Sequence, residues 1–130
     1  MTTTDNQKAA PFFKFENLRI YHKSLQFSNA VLSIRDNVQT DTDKMVASKF
    51  FDAAVMITNN IVEGSCMCKN TFVESLQKAK SNIRTCVIYT ELLLSRKAID
   101  EEQADDILNE LIELTKMTGA LMVSIQGENN

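Results

Sequence analysis

The sulfur atoms are the first candidates for chemistry. Cys66-Met67-Cys68 sets two thiols and a thioether in three consecutive residues, a soft donor set that suits copper(I) or zinc. A structural zinc ion takes four ligands, and no further ligands lie close by in sequence. We therefore expect no metal, with Cys66 and Cys68 as the weak candidates. His22 is the one histidine, and a cysteine–histidine nucleophile needs the two groups side by side; nothing places them so. Metal-carboxylate bundles carry Glu-x-x-His pairs, phosphate-binding loops carry clustered glycines, and this chain has neither. The expectation is a protein that is not an enzyme, has no cofactor and shows no evident small-molecule substrate.

Charge is the second candidate. Lys69, Lys78, Lys80, Arg84, Arg96 and Lys97 are opposed locally only by Glu74 and Glu91, whereas residues 100–113 hold seven acids and no base. Lys69, Lys78, Lys80 and Arg84 could contact phosphates of a nucleic acid or the acids of a protein partner. The plainer expectation is surface ion pairing between the two segments, each pair worth about 0–1 kcal/mol. The formal net charge of -3 and the absence of interleaved aromatic residues weigh against a nucleic-acid module.

These side chains must be positioned by helices. Phe72, Leu76, Ala79, Ile83, Cys86, Thr90 and Leu93 recur at alternating steps of four and three, and so do Ala104, Ile107, Leu111, Leu114, Thr118, Leu121 and Ile125. Such spacing lines one seam of an α-helix. The link Arg96–Asp100 is too short for anything but an antiparallel neighbour. On that seam Cys86 is expected to be an inert buried thiol.

Upstream, Leu18, Tyr21, Leu25 and Leu32 form one stripe, and Ile20, Phe27, Val31 and Ile34 a second. Val46, Phe50, Ala53 and Ile57, widened by Phe51, Ala54, Ile61 and Val62, mark another helix. The predicted helices are 17–37, 43–63, 71–95 and 100–126, with residues 1–11 as a flexible tail and 12–127 as the folded unit. Start signals are Asp41, Thr42 or Asp43 for the second, a Thr71–Glu74 capping box for the third and Asp100 for the fourth. Gly64 fits a left-handed stop, and Gly119 implies a close backbone approach. Four rods with short links give an all-α, antiparallel up-down-up-down four-helix bundle.

At 130 residues the chain is one domain. No apolar run reaches the roughly 18 residues of a membrane span, and the polar start has no signal-peptide pattern. Three cysteines without framework spacing fit a reducing compartment, so a cytoplasmic location without membrane contact is expected.

The apolar positions exceed what one bundle core uses. Val87 and Leu94 flank the third seam and Ile88 lies nearly opposite it, while Phe12, Phe13 and Phe15 precede the first helix. A helix apolar beyond its core stripe is deeply buried or meets another subunit. In a bundle this small no helix is central, so these six residues are the expected self-association surface. Glu63 sits at a helix C-terminus, unfavourable for an anion, and is expected to lock the following corner together with Asn60.

Asn60-Ile61-Val62-Glu63-Gly64-Ser65 resembles the signature of the four-helix-bundle proteins encoded in 23S rRNA intervening sequences. Phe15, Leu18 and Tyr21 resemble that family's opening pattern, Phe72, Leu76 and Ala79 its third-helix start, and Asp100-Glu-Glu its acidic turn. The resemblance spans about residues 12–125. It implies an up-down bundle assembling as a homopentamer, with a non-catalytic scaffold or adaptor role. A related branch implies an alternative, an RNA-binding accessory of a reverse transcriptase. Where the family carries arginine or lysine after Glu-Gly-Ser, this chain reads Cys66-Met67-Cys68-Lys69.

Overall fold

Heptad stripes this long leave the chain one way to hide them: against the stripes of neighbouring helices. The structure, a computed structural model, describes residues 13–127. A short 3-10 turn, Lys14–Asn17, leads into α1 (Arg19–Asn37), α2 (Asp41–Ser65), α3 (Lys69–Ser95) and α4 (Glu101–Gly127). The expected tail 1–11 and Phe12 lie outside the described residues. No helix among the described residues is long and apolar enough to cross a membrane.

Cross-helix contacts fix the directions. Asp43 meets Arg96, Asn60 meets Asn82, and Gly64 meets Ser75, so numbers rise along α2 as they fall along α3. Ser24 meets Thr58 and Phe27 meets Phe50, which sets α1 against α2 in the same sense. Lys23 of α1 pairs with Glu113 of α4 at 3.1 Å, and the ring of four closes.

Both seams read from the sequence are buried. Leu76, Ala79, Ile83, Cys86, Thr90 and Leu93 of α3 are buried, with Phe72 half-buried. So are Ala104, Ile107, Leu111, Leu114, Thr118 and Ile125 of α4, with Leu121 half-buried. Each large apolar side chain removed from water contributes about 1.5–3 kcal/mol. Phe50 of α2 links the layers, edge-on to Phe27 of α1 with centroids 6.1 Å apart and stacked on Tyr89 of α3 at 6.0 Å. Of the two α1 stripes, Ile20, Phe27, Val31 and Ile34 enter the core. Leu18, Tyr21 and Leu32 stay half-buried and Leu25 is exposed, because one face of a rod meets the bundle axis and the next meets its rim.

Several local expectations give way to different chemistry. α2 begins early because the Thr40 hydroxyl accepts the Asp43 N–H at 3.0 Å. Asp43 is thereby released to pair with Arg96 at the far end of α3. α3 starts at Lys69 with Cys68 as N-cap, so the Thr71–Glu74 box does not form. The Thr71 hydroxyl lies inside the first turn, 3.3 Å from the Cys68 Sγ. The α4 start follows its signal: Asp100 Oδ1 accepts from the Gln103 N–H at 2.8 Å, and Gln103 Oε1 accepts from the Asp100 N–H at 3.0 Å. Gly119 has open space where a Cβ would stand, so no close approach among the described residues explains it.

α3 ends on a left-handed residue that is not glycine. Lys97 has φ 61°, its N–H bonds to the Leu94 carbonyl at 2.9 Å and the Ala98 N–H reaches the Leu93 carbonyl at 2.9 Å, a Schellman closure. A side chain in that conformation is strained. Lys97→Gly is expected to stabilise the fold by about 0.5–1 kcal/mol, read from urea unfolding at fixed protein concentration.

Arg96 beside Asp43 holds that carboxyl below its ordinary value of 3.8, helped by the Thr40 hydroxyl and opposed by burial. A carboxylate depressed on folding stabilises the native state above its unfolded pKa, and that contribution is lost as pH falls through the folded value. Arg96→Gln is therefore expected to be less stable than wild type at neutral pH. In an acid series of unfolding curves the gap should close below pH 3.8.

Candidate functional site

The corner between α2 and α3 carries the densest set of sequence-predicted residues. Asn60, one turn before the helix end, donates from Nδ2 to Asn82 Oδ1 of α3 at 2.7 Å. The bond is half-buried and long-range, so it ties the two helices in register. Asn82 had no sequence signal of its own as the partner.

Gly64 serves a different purpose from the one its position suggested. It lies inside α2, which runs to Ser65, and no glycine among the described residues has positive φ. A Cβ at Gly64 would stand 2.6 Å from the Ser75 Cβ and 2.8 Å from the Phe72 Cδ1. The residue is glycine because α3 passes too close for a side chain, and the chain then stops in the right-handed region at Cys66. Glu63 is exposed on the outside of that last turn, and the locking bond of the corner is made by Asn60.

Cys66, Met67 and Cys68 form the turn itself, and all three are exposed. The Thr71 hydroxyl, followed by N–H groups of the first turn of α3, holds the Cys68 thiol below its usual range, as helix N-termini do. His22 is committed elsewhere: its Nε2 donates to the Glu16 carbonyl at 2.8 Å. Among the described residues no group of three or more His, Cys, Asp or Glu side chains converges on a metal position. Cys86 is sealed in the core, and burial pushes its thiol up to about 12.

The four candidate cations do not converge. Lys69, Lys78 and Arg84 are exposed and Lys80 is half-buried. At about 100° per residue, Lys69, Lys80 and Arg84 share one side of α3, whereas Lys78 points about 200° away from Lys80. That second side faces α2, the side of Asn82 and Ser75.

The apolar candidates also divide. Val87 and Leu94 are half-buried against the bundle's own core. Phe15 is half-buried, stacked on Phe13 at 5.5 Å and edge-on to Tyr21 at 4.9 Å. Ile88 is 65% exposed and Phe13 54% exposed. Sequence reasoning did not single out Ile112 and Val123, which α4 leaves 51% and 69% exposed. Their spacing from Gly119 follows the same four-and-three rule as the seam.

The close approach at the corner generates a direct expectation. Gly64→Ala should destabilise the protein by about 1–3 kcal/mol through overpacking against Ser75 and Phe72. Gly119→Ala, placed in open space, should gain roughly 1 kcal/mol in an isolated chain; thermal unfolding of the two variants reads both.

The comparisons agree with this geometry. The sequence matches the family described as 23S rRNA-intervening sequence protein over residues 16–120. Among solved structures it is similar to a protein with unknown function from the S23 ribosomal protein family of Bacteroides thetaiotaomicron VPI-5482. The TM-score is 0.72 at 20% identity, covering 79% of this chain and 97% of that one, a similarity of fold. No curated protein matches the chain. With its signature corner, its four antiparallel rods and a match across most of its length, the chain belongs to the 23S rRNA-intervening sequence protein family.

Proposed function

We propose that this protein is a non-catalytic, self-assembling helical scaffold or adaptor of the cytoplasm, a ring of identical bundles that presents its charged rim to protein partners. The observation that carries the reading is the outward apolar set on α3 and α4. Ile88, Leu92, Ile112 and Val123 are all exposed although each sits on a long, rigid helix. Contiguous apolar surface marks contact sites, and Ile88 and Leu92 stand one turn apart on the outer side of α3. Gly119, between Ile112 and Val123, costs helix stability and meets nothing among the described residues, as expected where a second helix comes close.

Two of the reactive groups support a non-catalytic role. The Cys86 thiol is buried and hard to ionise, and the His22 Nε2 is held by a backbone carbonyl. The formal net charge of -3 favours protein over RNA as the partner, and Lys78 stands apart from the three cations that share one side of α3. The pentameric count is the one the family resemblance implies.

Sedimentation is expected to give a mass that is a multiple of the 14.7 kDa chain. Ile88→Asp and Val123→Asp should each weaken assembly by about tenfold or more, with helical circular dichroism unchanged. Wild-type protein that sediments as single chains at high concentration would falsify the proposal.

A further inference from the structure

Cys66 and Cys68 are exposed thiols separated by one residue. The turn that holds them is fixed at both ends. The Asn60–Asn82 hydrogen bond and the close approach of Gly64 to Ser75 anchor α2 against α3. Within the turn the Met67 N–H bonds to the Gly64 carbonyl at 3.0 Å, and the chain bends at Met67. Two Cα steps of about 3.8 Å with a bend between them span less than about 7.6 Å. That lies beside the roughly 4.4–6.8 Å that disulfide-linked cysteines take.

The two thiols are not equivalent. Cys66 sits at the carbonyl end of α2, and Cys68 at the N–H end of α3, a helix of 27 residues. The first N–H groups of a helix have no acceptor within it, and they and the dipole favour a negative charge. The Thr71 hydroxyl stands 3.3 Å from the Cys68 Sγ. Hydrogen bonds from that hydroxyl and from N–H groups of the first turn hold the thiol below its ordinary pKa of 9.0. Glu63 and Lys69 are the charged residues that flank the turn, and neither is responsible for that shift. Accessible thiols that ionise readily and have a second cysteine beside them are the ones that exchange with disulfides.

We propose that this turn is a thiol–disulfide exchange site for small-molecule disulfides, with Cys68 as the attacking thiol and Cys66 as the resolving one. The Cys68 thiolate attacks one sulfur of a disulfide RS–SR, that S–S bond breaks, and RS⁻ leaves with the bonding pair. Cys66 then gives its proton to solvent, and its thiolate attacks the Cys68 Sγ. A Cys66–Cys68 bond closes and the second RS⁻ is expelled. In net terms one RS–SR is reduced to two RSH, which carry the protons given up by the two cysteines, and the two protein thiols are oxidised to one disulfide. Cys86 takes no part, because it is sealed in the core with its thiol pushed up to about 12.

Dithiodipyridine, a neutral disulfide that releases a coloured thiol, tests the site on the reduced full-length protein. Wild type should release two coloured thiols per chain and keep no label, emerging lighter by two hydrogen atoms in mass spectrometry. Cys66→Ser should release one and retain the other as a mixed disulfide on Cys68. Cys68→Ser should react more slowly than Cys66→Ser, by about threefold or more. The rate for Cys66→Ser against pH should have its midpoint below 9.0. Thr71→Val, added to that variant, should move the midpoint up while helical circular dichroism stays unchanged. Wild type that keeps its label, or that links chain to chain on a non-reducing gel, overturns the site. So do equal rates for Cys66→Ser and Cys68→Ser, or a midpoint that Thr71→Val leaves in place.

Discussion

Four rods packed around one axis can each hide a single stripe, and that geometric limit governs the whole molecule. The stripe that faces inward is filled by Phe27, Phe50, Leu76, Leu93, Leu111 and Leu114, all fully buried. Phe50 joins three helices through its contacts with Phe27 and Tyr89. Whatever apolar residues lie beyond that stripe have no place inside. They become the half-covered groove of α1 and α2 and the outward residues of α3 and α4. Those leftovers follow from the limit on how much a four-helix core accommodates.

The link between α2 and α3 shows how tightly the rods are drawn together. Asn60 and Asn82 join by a half-buried hydrogen bond, and below them Gly64 yields its side-chain volume to Ser75 and Phe72. At the opposite end of the same helix pair, Asp43 and Arg96 close the seam electrostatically. With both ends pinned, the α2–α3 register is set, and the turn Cys66–Cys68 is left outside as exposed sulfur chemistry, with no converging ligand set among the described residues. Two of the polar residues placed inside the bundle, Thr90 and Thr118, satisfy themselves by donating to the Cys86 and Leu114 carbonyls. Ser28 Oγ has no such partner among the described residues.

Periodicity determined the helices. The third and fourth seams were legible because apolar residues recur at steps of four and three whatever the chain packs against, and the burial of α3 and α4 follows those seams closely. The Asp100–Gln103 box was legible for a similar reason, being a local exchange of hydrogen bonds. The family signature also lies in one continuous segment. Tertiary structure decided the rest. Which α1 stripe enters the core depends on where α2 and α4 lie. Thr40 rather than Asp43 caps α2, which leaves Asp43 to pair with Arg96, 53 residues away. Gly64 is needed for an approach by α3 that no local pattern records, and the groove over Ser28 exists only because two helices set their outer faces side by side. Local hydrogen bonding and helical repeat are written along the chain, whereas proximity between distant segments arises only when the rods pack.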